Sequence, residues 1–196
     1  MPLNITTKQA SEDMQDYFAL FLDRRYKLVH DAFRKHMPNH LLIGDRWMPG
    51  TSNNELLIAT AAKYLDIISI NYYAVGFDRD YLDRMHRWSG GKPILLSEFY
   101  YTSPAESGLP GGRGLASQDK RGKAYRNYVE SALDTGYVVG IEWFINVDQA
   151  KISGIDLETS YQRDVSLFGG DESIGWRFFG TWLDENSETL AGTNKI

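Results

Sequence analysis

The sequence predicts an α/β fold built on a parallel sheet, and three observations lead to it. Stretches with apolar residues at three-four spacing alternate with short apolar runs that begin at Leu41, Ile67, Ile94 and Val138. The run at Ile94 is continuously apolar through Leu96 instead of alternating with polar residues, as expected of a strand covered on both faces. Each run also ends abruptly in a polar and aromatic tip: Asp45-Arg46-Trp47, Asn71-Tyr72-Tyr73, Ser97-Glu98-Phe99 and Glu142-Trp143-Phe144. Strict helix–strand alternation implies right-handed crossovers, and both a complete doubly wound sheet and part of a (β/α) barrel satisfy it. A closed barrel needs eight strands and typically about 250 residues, so the units present amount to about half of one.

The elements follow in order. Ser11 opens a long amphipathic helix with Glu12 and Asp13 in its first turn; Phe18, Phe21, Leu22, Leu28, Val29, Ala32 and Phe33 form its apolar face, and Pro38 stops it. Residues 41–44 read as a strand followed by the Pro49-Gly50 turn. Ser52 and Glu55 match a capping box for a helix through Leu57, Ala61, Tyr64 and Leu65, which leads to a strand over 67–70. Asp80 opens a helix with Tyr81, Leu82, Met85 and Trp88 on one face, closed by Gly90-Gly91. A strand over 94–97 comes next, then a Gly- and Pro-rich loop from Thr102 to Ser117, long enough to be functional. Tyr125, Tyr128, Val129, Ala132 and Leu133 mark a fourth helix, and the strand over 138–141 completes the pattern. Residues 1–158 are expected to form one domain, with 159–196 an extension in which Ile174, Phe178, Phe179, Trp182 and Leu183 line a last helix.

Composition narrows the function. A chain of 196 residues with 42% apolar content has enough material for a core, and a net charge of -5 leaves no basic footprint for nucleic acid or an anionic membrane. Without cysteine there is no disulfide framework, thiol nucleophile or thiolate metal site. Met1 to Gln15 lacks the apolar core of a signal peptide and no run is long enough to cross a bilayer, so the chain is expected to be soluble. His36 and His40 flank Pro38 at a helix end, where a cation suits the dipole; no metal site and no cofactor are expected. Gly111-Gly112-Arg113-Gly114 bridges no strand to a helix and is not a nucleotide loop.

The stretch with most chemical content is Lys92 to Tyr101, a buried strand ending in a carboxylate between aromatic residues. Glu98 at its C-terminal tip is the candidate catalytic group; the alternative is a carboxylate solvated or paired with arginine. Aromatic content is high, with 12 Tyr and 5 Trp, and several of these residues fall at strand tips, where a sugar ring stacks. Trp88, Tyr125 and Tyr128 sit at helical spacing and read as core.

The ordered tips resemble strands five to eight of the clan A retaining glycoside hydrolases, in which strands six, seven and eight present a Tyr, the nucleophile Glu and a Trp. Within the clan the chain is most similar to the β-agarases of glycoside hydrolase family 50. Ser107-Gly108-Leu109-Pro110, Arg113-Gly114, Gln118-Asp119-Lys120-Arg121-Gly122 and the segment from Trp143-Phe144 to Asp148-Gln149 carry that similarity, which covers roughly residues 14–158. The resemblance implies the second half of a (β/α)8 barrel and a retaining β-glycosidase acting on a β-linked galactan. It implies Glu98 as nucleophile, Tyr72 as the residue that orients it, and Trp143 as the platform under the sugar, with Asn71, Trp47, Arg46 and Gln149 as sugar contacts. The parent enzyme would then be secreted.

The clan's acid/base Glu follows an Asn at the tip of the fourth strand, which would precede Met1. Asn54-Glu55 has the right letters but reads as a helix start, and alternation points Glu142 away from the face used by Trp143. The tail after Glu158 also departs from the family's last helix. Three functions remain: half of a glycosidase site, a carbohydrate-binding module without cleavage, or an incomplete barrel that self-associates or joins a partner supplying the other half.

Overall fold

A computed structural model describes residues 7–74, 76–107 and 113–144. It divides into two compact units, Met1–Asn71 with Arg79–Leu95 and Tyr72–Asp78 with Leu96–Ile196. The domain boundary expected at 158 and the helix expected around Ile174–Leu183 lie outside the described residues.

In the first unit, helix α1 (Lys8–His36) starts earlier than Ser11, because the Thr7 side chain accepts a hydrogen bond from the Ala10 N–H at 3.1 Å and caps it. It ends just before Pro38, with Arg34, Lys35 and His36 in a last turn that favours positive charge. α1 lies against helix α3 (Glu55–Ala62) and buries Leu22 and Tyr26. The face expected to enter the core is largely open: Phe21 is 50% exposed, Leu28 54% and Val29 46%, as is Leu20 at 70%. A helix of 29 residues presents more apolar length than α3, with 8, can cover.

The strand expected over 41–44 is reduced to two parallel bridges, Ile43 to Ile67 and Trp47 to Ile70. Between them Arg46 adopts a left-handed backbone (φ 54°), which breaks the ladder. Gly44 packs closely, since a Cβ there would lie 2.8 Å from Leu65 Cδ1 and that side chain would have to shift. The short helix α2 (Pro49–Ser52) follows, and it corrects the expected capping box. Ser52 ends α2 and donates to the Met48 carbonyl, whereas Asn54 caps α3 by accepting from the Leu57 N–H at 3.1 Å. Strand β1 (Ile68–Asn71) and helix α4 (Arg79–Trp88) complete the unit's interior, with Ile58, Ile68, Ile70, Leu82 and Met85 fully buried. Gly90 and Gly91, at φ 71° and 86°, turn the chain where a side chain would be strained.

Strand β2 (Ile94–Phe99) begins in the first unit and ends in the second. The second unit adds the short helix α5 (Pro104–Ser107), helix α6 (Gln118–Leu133) and strand β3 (Val138–Trp143). Ser117 caps α6 by accepting from the Lys120 N–H, while Glu106 accepts from the Gln118 N–H. β1, β2 and β3 form a parallel sheet in that order, an α/β arrangement that fits part of a (β/α) barrel. No described helix is long and apolar enough to cross a membrane.

Candidate active site

The second unit is organised around an aromatic layer beneath the end of β2. Phe99 lies on the ring of Tyr128 from α6, and Tyr125 of the same helix also stacks with it at 5.7 Å. The Tyr128 hydroxyl donates to the Tyr72 carbonyl at 2.9 Å and the Tyr101 hydroxyl to the Ala74 carbonyl at 3.1 Å. Two phenols of the core therefore hold the backbone that leaves β1. Burial raises both phenol pKa values, that of Tyr101 to about 12.

On this base stands a carboxylate–phenol pair. The Tyr73 hydroxyl donates a short hydrogen bond to Glu98 Oε2. Burial, followed by that bond to the carboxylate, raises the Tyr73 pKa, so the phenol keeps its proton at neutral pH and acts as a hydrogen-bond donor. Tyr100 meets the Tyr73 ring edge-on at 5.1 Å, and Phe144 approaches it edge-on at 6.5 Å. The Arg113 side chain donates to the Tyr73 carbonyl at 3.0 Å, with its guanidinium 4.9 Å from the Tyr73 ring centre.

Two expected assignments, Tyr72 as the residue that orients Glu98 and Trp143 as the platform, meet a different geometry here. The phenol against Glu98 belongs to Tyr73 and not to Tyr72. Successive residues in extended chain point to opposite sides. Tyr72 therefore turns into the aromatic layer, beside Phe77 and Tyr128, and its hydroxyl accepts from the Asp78 N–H at 2.8 Å. The same alternation separates Trp143 from Phe144. Trp143 packs 5.2 Å from Phe99 and 5.5 Å from Tyr125 with the Arg121 guanidinium over it, and Phe144 is the ring beside Tyr73.

The remaining expected sugar contacts belong to the first unit or lie beyond the described residues. Arg46 Nε donates to Asn71 Oδ1 at 3.3 Å, so those two do meet. Trp47 is corrected to a core residue: it is 7% exposed, meets Tyr26 edge-on at 6.3 Å, and has little face left for a sugar. Beside it Asp45 accepts from both terminal nitrogens of Arg25 and from the Tyr26 hydroxyl, and these bonds hold its carboxyl below the usual range although burial opposes them. Gln149 lies outside the described residues. Tyr73, Phe144 and Arg113, which gather around Glu98 and its partner, were not among the residues expected there. Alternation from Ile68 puts Tyr72 and Tyr73 on opposite sides without saying which side Glu98 takes, and no local pattern marks Arg113.

No protein-family profile matches the sequence. Over 148 residues it is 31% identical to β-agarase B of Vibrio sp. (strain JT0107), a match that covers 72% of this chain and 15% of that protein. β-Agarase A of the same strain is 28% identical over 142 residues, 69% of this chain and 14% of the relative. The chain thus spans about one seventh of these relatives. Among solved structures, an exo-β-agarase is similar with a TM-score of 0.70 and 24% identity, covering 98% of this chain and 24% of that one. BpGH50 is similar with a TM-score of 0.64 and 27% identity, over 74% and 32% respectively. By sequence and by fold, the chain is related to the glycoside hydrolases and is most like the β-agarases of glycoside hydrolase family 50.

Proposed function

We propose that this chain supplies the nucleophile side of a retaining β-glycosidase site for a β-linked galactan such as agarose. The single observation that carries this is the Glu98–Tyr73 pair at the end of β2, in a chain similar to β-agarase B. Glu98 attacks the anomeric carbon as the glycosidic C–O bond breaks, giving a covalent glycosyl-enzyme that water then hydrolyses. The Tyr73 phenol holds the attacking carboxylate in one orientation, and Phe144 takes the place expected for Trp143 as the ring beside the pair. The departing oxygen takes its proton from a second carboxyl group about 5 to 5.5 Å from the first, in this proposal a glutamate supplied from outside residues 1–158 of this chain.

The exposed apolar face of α1 favours an assembly in which this half-barrel pairs with a second copy or with a chain carrying the remaining strands. A binding module without cleavage is the other outcome. A 2-fluoro galactoside with a dinitrophenolate leaving group separates these, because its departure needs little protonation. Peptide mapping should find the sugar on Glu98, and Glu98→Gln should take no label. Stoichiometric labelling elsewhere, or none while galactan oligosaccharides still bind, would refute the nucleophile assignment.

A further inference from the structure

The loop after β2 delivers Arg113 to Tyr73, and its backbone conformation is unusual. Arg113 has φ 54°, a left-handed conformation that a bulky side chain adopts at a cost. The segment is pinned on its C-terminal side: the Leu115 N–H donates to the Thr102 carbonyl at 2.7 Å, and Thr102 bridges Gly114 in parallel fashion. Gly114 admits no side chain without crowding, since a Cβ would lie 3.2 Å from Pro104 Cδ. Thr102 and Ser103 are fully buried, so the base of the loop is part of the core.

From this base the guanidinium holds one residue in two places. It donates to the Tyr73 carbonyl at 3.0 Å and covers the Tyr73 ring at 4.9 Å, with Tyr100 the next ring at 6.0 Å. A planar guanidinium presents an edge to a carbonyl and a flat face to a ring together; an ammonium offers a compact point charge with no such face and no fixed fork. Tyr73 is thereby gripped at both backbone and side chain, and its hydroxyl is the atom that reaches Glu98.

We infer that Arg113 is a positioning residue that fixes the Tyr73 ring so that its phenol meets Glu98, and that the strained backbone at 113 is retained to aim this side chain. Glycine would be more comfortable at φ 54°; what arginine adds there is the pair of guanidinium contacts to the Tyr73 carbonyl and ring.

The test uses the full chain with 3-fluorotyrosine at position 73, read by ¹⁹F NMR, and the variants Arg113→Gly and Arg113→Lys. Glycine suits the backbone at 113, so Arg113→Gly should melt no lower than the parent. Its ¹⁹F line should nevertheless move toward that of free fluorotyrosine as the ring loses its fixed position, with Arg113→Lys giving little recovery. An unmoved line in Arg113→Gly, or full recovery with lysine, would overturn the assignment. The labelling arm rests on Glu98 being the nucleophile: Arg113→Gly should slow the trapping of the 2-fluoro sugar by about 10²-fold, the scale expected for a misplaced reacting group. Trapping at the parental rate would also overturn it. A parent protein that takes no label while the ¹⁹F line still moves would sink the proposed function and leave the role of Arg113 standing.

Discussion

Phe99 lies flat on Tyr128, with ring centres 4.0 Å apart and planes 3° from parallel, and it joins the end of β2 to the middle of α6. Both rings are almost fully buried, and Trp143 closes on the edge of Phe99. Phe99→Ala should therefore cost about 3 to 5 kcal/mol, the range for deleting a buried ring. Urea unfolding should show a large fall in midpoint. A change near 1 kcal/mol would mean that the layer around Glu98 is held by other contacts.

Buried phenols set an alkaline limit. An unperturbed tyrosine titrates near 10, whereas burial raises Tyr73, Tyr101 and Tyr128, Tyr101 to about 12. With the folded pKa above the unfolded one, the stabilisation is complete below pH 10 and is lost as pH rises from 10 through 12. Melting temperature should be flat up to about pH 10 and fall beyond it. Tyr101→Phe should make that fall shallower, and an unchanged slope would remove Tyr101 from the account.

Tyr72 and Tyr73 are neighbours in sequence with opposite expected phenotypes. Tyr73→Phe keeps the ring but removes the bond to Glu98, and should slow the trapping of an activated glycoside with a stability change within about 1 kcal/mol. Tyr72→Phe removes the acceptor of the Asp78 N–H and should alter stability by a similar amount, leaving trapping at the parental rate. The reverse result would restore Tyr72 to the position inferred from the resemblance.

The start of α3 offers a third contrast. Asn54→Ala removes the cap and should lower stability by about 1 kcal/mol, whereas Ser52→Ala removes a hydroxyl that bonds to Met48 and lies 2.5 Å from the Tyr81 hydroxyl. Neither residue, nor Glu55, should affect sugar trapping. Loss of trapping in Asn54→Ala at full stability would mean that this Asn-Glu pair is chemical after all.

Local spacing was enough to place the bodies of helices α1, α3, α4 and α6 and of strands β1, β2 and β3, because the recurrence of apolar residues and the Gly90-Gly91 and Pro38 stops are local properties. It placed Glu98 at the tip of β2 for the same reason. It overestimated the strand at 41–44, since Arg46 turns left-handed there and only two bridges form. Ser52 passed for a cap because S-x-x-E is satisfied on paper, while the competing short turn from Pro49 is a matter of three-dimensional packing. Which tyrosine faces Glu98, and whether Trp143 or Phe144 stands beside it, was set by packing. Those choices depend on the side of the sheet already filled by Tyr125 and Tyr128 of α6, and local periodicity carries no information about what packs there. Arg113 could be placed by no local rule, because its partner Tyr73 is 40 residues away and meets it only after the loop folds back on Thr102.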